Sequence, residues 1–299
     1  MDSDPMVQDF MIVKDFVLKT PNYEGRKMSL NGFRVEPVNL VDNVLRRDDT
    51  DFLSTGFLEL ERCLGGLDGG DLVVVASDTA RLNSSFALTL IQKICVLGER
   101  PTMYFTPGCK ADIVFFELLV NCGKLHSSPQ RGYGEADVNN LNIALSRLGE
   151  SHFFLNDSPD ILLKDLSAAL AGLVTSYGVR IALINHLDFI RTDERRGFIS
   201  DETEEIMKTL KSLARTLDIP IVLFVMVAEM GGRLPLLSSI GPYGLVERFA
   251  DVILILQDRN DERPCMVDVH VARSRGGLNE VIPLEYVATQ YRFESSVKQ

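Results

Sequence analysis

The stretch SDTARLNS, Ser77 to Ser84, lies between a β-branched run and an amphipathic segment. A loop of the form G-x-x-x-x-G-K-[ST] holds this place in proteins that bind nucleotide phosphates. Its glycines let backbone N–H groups wrap the phosphates, its lysine neutralises them, and its hydroxyl holds Mg²⁺. With Ser84 taken as that hydroxyl, Ser77 and Leu82 stand at the glycine positions and Asn83 stands at the lysine position. Leu82 carries a Cβ where close approach is expected. Asp78 adds negative charge where the ligand would be negative. The expectation is a vestigial nucleotide loop (Ser77, Leu82, Asn83, Ser84) with its strand–loop–helix shape kept and its phosphate affinity lost. Phosphoryl transfer depends on those charges being in place.

Other chemistry is sparse. His126, His152, His186 and His270 are scattered and suggest no metal site. Cys63, Cys95, Cys109, Cys122 and Cys265 form no CxxC pair and are odd in number. They are read as reduced thiols of a cytoplasmic protein. No cofactor is expected; ATP and Mg²⁺ enter only if the loop works in a non-standard way.

The elements that must position these residues alternate regularly after Asp51. Apolar runs at 72–76, 102–106, 152–156, 180–185, 219–226 and 251–256 read as strands buried on both faces of a parallel sheet. Helices are expected at 84–97, 110–122, 135–148, 161–176 and 202–217. The end differs: MVDVHVARSR alternates with period two, GGL turns, and VIPLEYV and YRFE follow, which predicts antiparallel strands closing one edge. The fold class is α/β, a mixed, mostly parallel sheet flanked by helices. Residues 1–50 stand apart: Phe10–Leu18 is a short apolar element, and a helix is expected over 37–47 with Asn39 as its N-cap.

The chain has 299 residues, 45% of them hydrophobic, enough for a large core. Its net charge of −11 argues against strong DNA binding, because that affinity comes mostly from Lys and Arg on phosphates. The acidic N-terminus does not read as a secretory signal, and the apolar runs are far short of a membrane span.

The segment STGFLELERCLGGLDGGDLVVVAS resembles the opening of the RecA-like C-terminal domain of DnaB-type replicative DNA helicases. The matching features are Thr55-Gly56-Phe57, Leu60-Glu61 and Gly70-Asp71-Leu72. The resemblance continues through FFLNDSP, LKSLARTLDIPIVL, ERFADVILIL, ARSRGG and YRFES, covering residues 51–299. It implies a RecA-like P-loop NTPase fold for that part. Residues 1–50 are then an extension too short for the family's N-terminal helical domain, and the 37–47 helix either packs on a neighbouring subunit or caps its own domain.

The resemblance also implies where catalytic groups belong. The family's catalytic Glu falls on Gly108. Its metal-orienting Asp falls on Asn185, an amide that cannot supply the charge a hard cation wants. Asp188, three residues on, points elsewhere. The Gln sensor falls on Met226, and the Arg-Glu pair of the DNA-contacting loop falls on Gly241 and Pro242. SDETEE, at 200–205, would repel a DNA strand. Arg273 and Arg275 match a basic hairpin tip that the family projects into a neighbour's ATP site as a trans arginine finger. The alternative is a solvated charged tip, common on exposed hairpins.

The leading expectation is a catalytically degenerate, non-hydrolysing relative. It would act as a binding or regulatory subunit in DNA replication, as loader, modulator or pseudo-helicase ring. Its partner would be an active replicative helicase or copies of itself, with DNA contact weak or absent. An ATP-dependent DNA helicase with a non-standard site is the alternative. A single-stranded DNA binder without motor activity is the third reading, and the acidic total opposes it.

Overall fold

A computed structural model describes the backbone of residues 11–12, 52–127, 134–193, 199–227, 245–259 and 266–296. The expected helix over 37–47 lies outside these residues.

Twelve strands and seven α-helices are described. In chain order they are β1 (Met11–Ile12), α1 (Leu58–Leu64), β2 (Leu72–Ser77), α2 (Ala80–Ile91), β3 (Thr102–Phe105), α3 (Ala111–Gly123), α4 (Glu135–Glu150) and β4 (Phe153–Asn156). There follow β5 (Ile161–Leu162), α5 (Leu163–Tyr177), β6 (Ile181–Asn185), β7 (Ile190–Arg191), α6 (Ile199–Leu217), β8 (Ile221–Met226) and α7 (Leu245–Phe249). The last four are β9 (Val252–Asp258), β10 (Met266–Arg273), β11 (Val281–Val287) and β12 (Arg292–Ser295). Helix α2 continues into a π-helical stretch, Gln92–Leu97.

Ten strands form one sheet in the order β1-β4-β3-β6-β8-β2-β9-β10-β11-β12. Pairs from β4 to β9 are parallel, and β9 to β12 run as an antiparallel meander. The apolar element expected at Phe10–Leu18 contributes β1, which pairs antiparallel with β4 (Met11 opposite Leu155). Alternate residues of β2 face opposite sides. Val73 and Val75 join a core with α1, α2 and α3, while Leu72, Val74 and Ala76 join one with α5 and α6. Burial on both faces is why the central strands read as unbroken apolar runs.

The leading segment explains its own motif. Glu61 Oε1 accepts from Thr55 N (2.5 Å), Thr55 Oγ1 (3.0 Å) and Ser54 Oγ (2.8 Å), so one carboxylate organises the entrance to α1. Gly56 has φ +73°, and a Cβ there would lie 2.6 Å from Lys93 Cδ. Lys93 needs that space, because its Nζ donates to the Gly56 carbonyl (2.9 Å) and lies 4.5 Å from the Phe57 ring centroid.

Candidate functional site

The residues expected to hold a nucleotide gather at the carboxyl ends of β2, β3, β6 and β8. Helix α2 starts at Ala80, four residues before the expected start at 84. Only Asp78 and Thr79 separate strand from helix, and Leu82, Asn83 and Ser84 are already helical. The reason is local. The stretch has no glycine to open left-handed backbone, and Ala80, Arg81 and Leu82 are strong helix formers. Ser77 closes the turn: its Oγ accepts from Thr79 N (3.0 Å) and donates to Thr79 O (3.0 Å). The connection from β2 to α2 is thus a tight turn.

Asn83 is fully buried. Its Nδ2 donates to the Val225 carbonyl (3.0 Å) and lies 3.6 Å from Met226 Sδ. Asn185 Nδ2 donates to Ser84 Oγ (3.1 Å) and to Tyr104 Oη (3.1 Å). The structure thus pairs four predicted positions through neutral contacts, Asn83 with Met226 and Asn185 with Ser84. The Oδ1 atoms of Asn83 and Asn185 have no hydrogen-bond partner among the described residues. Sequence reasoning misses Tyr104. Its signal is a phenol within a strand that buries all four residues. Burial pushes its hydroxyl up to about 12, so it stays protonated.

Gly108 is exposed just before α3. A Cβ there would meet only Phe189 Cζ, at 4.0 Å, so room for a side chain exists and none is supplied. Asp188 is exposed on a short 3₁₀ turn, Leu187–Phe189. His186 packs on Phe189 with ring centroids 5.1 Å apart, and burial lowers its pKa, which favours the neutral ring. Gly241 and Pro242 lie outside the described residues. The fit to Mg²⁺–nucleotide is therefore poor. Asn83, expected at the lysine position, is an amide turned into the core, and Asn185, expected at the metal position, is an amide whose Nδ2 faces the Ser84 hydroxyl. No group of His, Cys, Asp and Glu able to hold a metal occurs among the described residues.

Arg273 and Arg275 lie at the opposite end of the sheet, beside the amino ends of β2 and β9. Arg273 Nη1 donates to the Glu247 carbonyl. Arg275 is bound within its own chain. Its Nη2 donates to Leu64 O (3.0 Å) and Gly66 O (2.7 Å), and its Nη1 pairs with Asp68 (3.1 Å) and Asp71 (3.0 Å). Next to it Lys211 Nζ bridges Asp251 (2.5 Å) and the Gly70 carbonyl (2.7 Å). Asp71 is only 6% exposed. Burial raises its pKa to about 6, a shift that the Asp68 N–H and Arg275 only partly oppose.

The described cysteines carry free thiols, with Cys63 and Cys95 buried; Cys265 lies outside the described residues. No described helix is long and apolar enough to cross a membrane.

Residues 53–295 match the model of the DnaB-like helicase C terminal domain. The chain is 25% identical over 260 residues to the replicative DNA helicase DnaC of Bacillus subtilis, covering 83% of this chain and 57% of that protein. It is 23% identical over 287 residues to the replicative DNA helicase DnaB of Geobacillus stearothermophilus, covering 91% and 63%. It thus spans about three fifths of these relatives' length. Among solved structures, an isolated ATPase domain superposes with a TM-score of 0.76 at 19% identity, over 85% of this chain and 95% of that one. A DnaB-like replicative helicase, solved in a study of its interactions with primase, gives 0.76 at 18% identity, over 85% and 64%. The RadB recombinase gives 0.54 at 19% identity, over 82% and 100%. These likenesses show a RecA-like fold.

Proposed function

The chain belongs to the DnaB-like helicase C-terminal domain family, and on that premise we propose that it is a non-hydrolysing member working in DNA replication through protein contacts. One observation carries this reading. The residue at the lysine position, Asn83, is 0% exposed and binds the Val225 carbonyl, so it offers no charge to a phosphate. Asn185 supports it, because a neutral amide is a poor ligand for a hard divalent cation. The two-residue turn after β2 supports it too, since it cannot wrap a phosphate chain as a glycine-rich loop does.

The partner is a protein: an active replicative helicase or further copies of this chain. DNA contact is weak or absent. Helix α6 carries Asp201 and Glu202 in its first turn, and negative charge there repels a phosphate backbone. The protein works in the cytoplasm, where such helicases act.

The test is Mg²⁺–ATP binding and turnover by the purified chain, read with its solution mass by light scattering. The expected result is no binding at millimolar nucleotide, background turnover, and a mass that Mg²⁺–ATP does not change. Turnover above background that Ser84→Ala abolishes would restore the helicase reading. Salt-sensitive binding to oligonucleotides would favour the third, DNA-binding reading.

A further inference from the structure

At the amino ends of β3 and β4, the pole opposite Ser77, lies a cavity of about 540 Å³. It is bounded by the π-helical stretch, the end of α4 and His152. This size lies within the range typical of small-molecule sites.

Its floor is closed chemically. The His152 carbonyl accepts from Thr102 N (3.0 Å) and from Cys95 Sγ (3.6 Å), and Ser151 Oγ donates to Leu148 O (2.8 Å). Burial pushes the Cys95 thiol up to about 11, so it is neutral and no nucleophile.

The rim is open and chemically varied. It presents two carboxylates, Glu99 and Glu150, and one guanidinium, Arg147. All three are exposed, and no pairing within 4 Å joins Arg147 to either carboxylate among the described residues. Val96 and Leu97 form an apolar wall, with Leu97 51% exposed. Two helices end at the cavity, at Leu97 and Glu150. Their negative ends add to the carboxylates and favour a cation on that side.

We propose that this cavity binds a small zwitterion of the amino-acid type. Its ammonium lies against Glu99 and Glu150, its carboxylate against Arg147, and its aliphatic part on Val96 and Leu97. A simple cation would leave Arg147 as an opposing charge. A simple anion would face two carboxylates and two helix carboxyl ends. Only a ligand carrying both signs uses the whole rim. The site is remote from the nucleotide pole and stands whether or not the chain hydrolyses ATP.

The experiment titrates the full chain with L-leucine, leucinamide and N-acetylleucine, following backbone amide resonances by NMR. The expected result is saturable shifts confined to residues 95–99 and 147–152, with leucine binding more tightly than either derivative. Arg147→Gln weakens leucine roughly tenfold, the loss of one charge-assisted contact, and leaves leucinamide unchanged. Glu99→Gln with Glu150→Gln weakens both. All three residues are exposed, so unchanged melting temperatures confirm that the variants fold. Three results overturn the proposal: no saturable shift, leucinamide binding as tightly as leucine, or binding that survives in the double variant. The second would mean unspecific attraction of a cation to an acidic protein.

Discussion

Asp71 and Arg275 show how one ion pair can serve two opposing demands. The pair ties the C-terminal hairpin to the segment that leads into β2, and it satisfies carbonyls at the end of α1. The cost falls on Asp71, whose ionised form is held in a buried place with its pKa raised from 3.8 to about 6. A raised carboxyl pKa means that the folded chain holds its proton more tightly than the unfolded chain. Asp71 therefore contributes stability below about pH 4 and loses it as pH rises through 6, by an amount on the order of 2–3 kcal/mol. Asp71→Asn removes that slope. Denaturant midpoints of the two proteins between pH 4 and 7.5 should converge at low pH and separate in the variant's favour at high pH. Parallel profiles would show that Asp71 titrates normally. Arg275→Ala has the opposite effect. It leaves Asp68 and Asp71 facing each other without their cation and should cost about 3 kcal/mol by urea unfolding near neutral pH. Arg275→Lys should recover little, because an ammonium cannot reproduce a two-armed contact with two carbonyls and two carboxylates.

At the level of elements, the early start of α2 decides what the site can become. A lysine side chain alone does not make a phosphate site when the preceding turn is two residues long and closed by the Ser77 hydroxyl. Asn83→Lys places an ammonium in a position with 0% exposure, where Asn83 binds the Val225 carbonyl and Met226 Sδ, so it should destabilise the fold by about 3 kcal/mol. It should not by itself create nucleotide binding. Fluorescence titration with a labelled ATP analogue checks the second point, and tight binding by this single variant would refute the role given to the short turn. The β10–β11 hairpin is ordered in the same local way: Ser274 Oγ donates to Leu278 O (2.9 Å) and Gly277 takes φ +70° at the turn.

For the whole molecule, stability centres on the parallel strands. β2, β6 and β8 lie inside the ten-stranded sheet, and nearly all their side chains are buried. Their amides should exchange slowest with deuterium, at the rate of global unfolding, while α4 opens sooner, since it buries only Ala144 and Leu148. Protection of α4 equal to that of β2 would indicate that another surface covers it in solution.

Much of the architecture is legible in the residues themselves. Unbroken apolar runs announce strands covered on both faces, period-two alternation announces the C-terminal meander, and helices over 110–122 and 135–148 match α3 and α4 closely. These are local signals, set by which faces of a segment must leave water. That the stretch Ser77–Ser84 holds no lysine and no glycine is equally plain, because a residue type is a property of one position. The start of α2 escapes a motif matched by spacing, because the backbone follows the helix propensity of Ala80, Arg81 and Leu82. The roles of Tyr104, Asp71 and Arg275 belong to the tertiary structure alone. Arg275 lies more than two hundred residues from its partners Leu64 and Gly66 in the chain, and only the folded sheet brings them within hydrogen-bonding distance. Charge and periodicity can be read along a line. Which buried donor meets which acceptor depends on close packing in three dimensions.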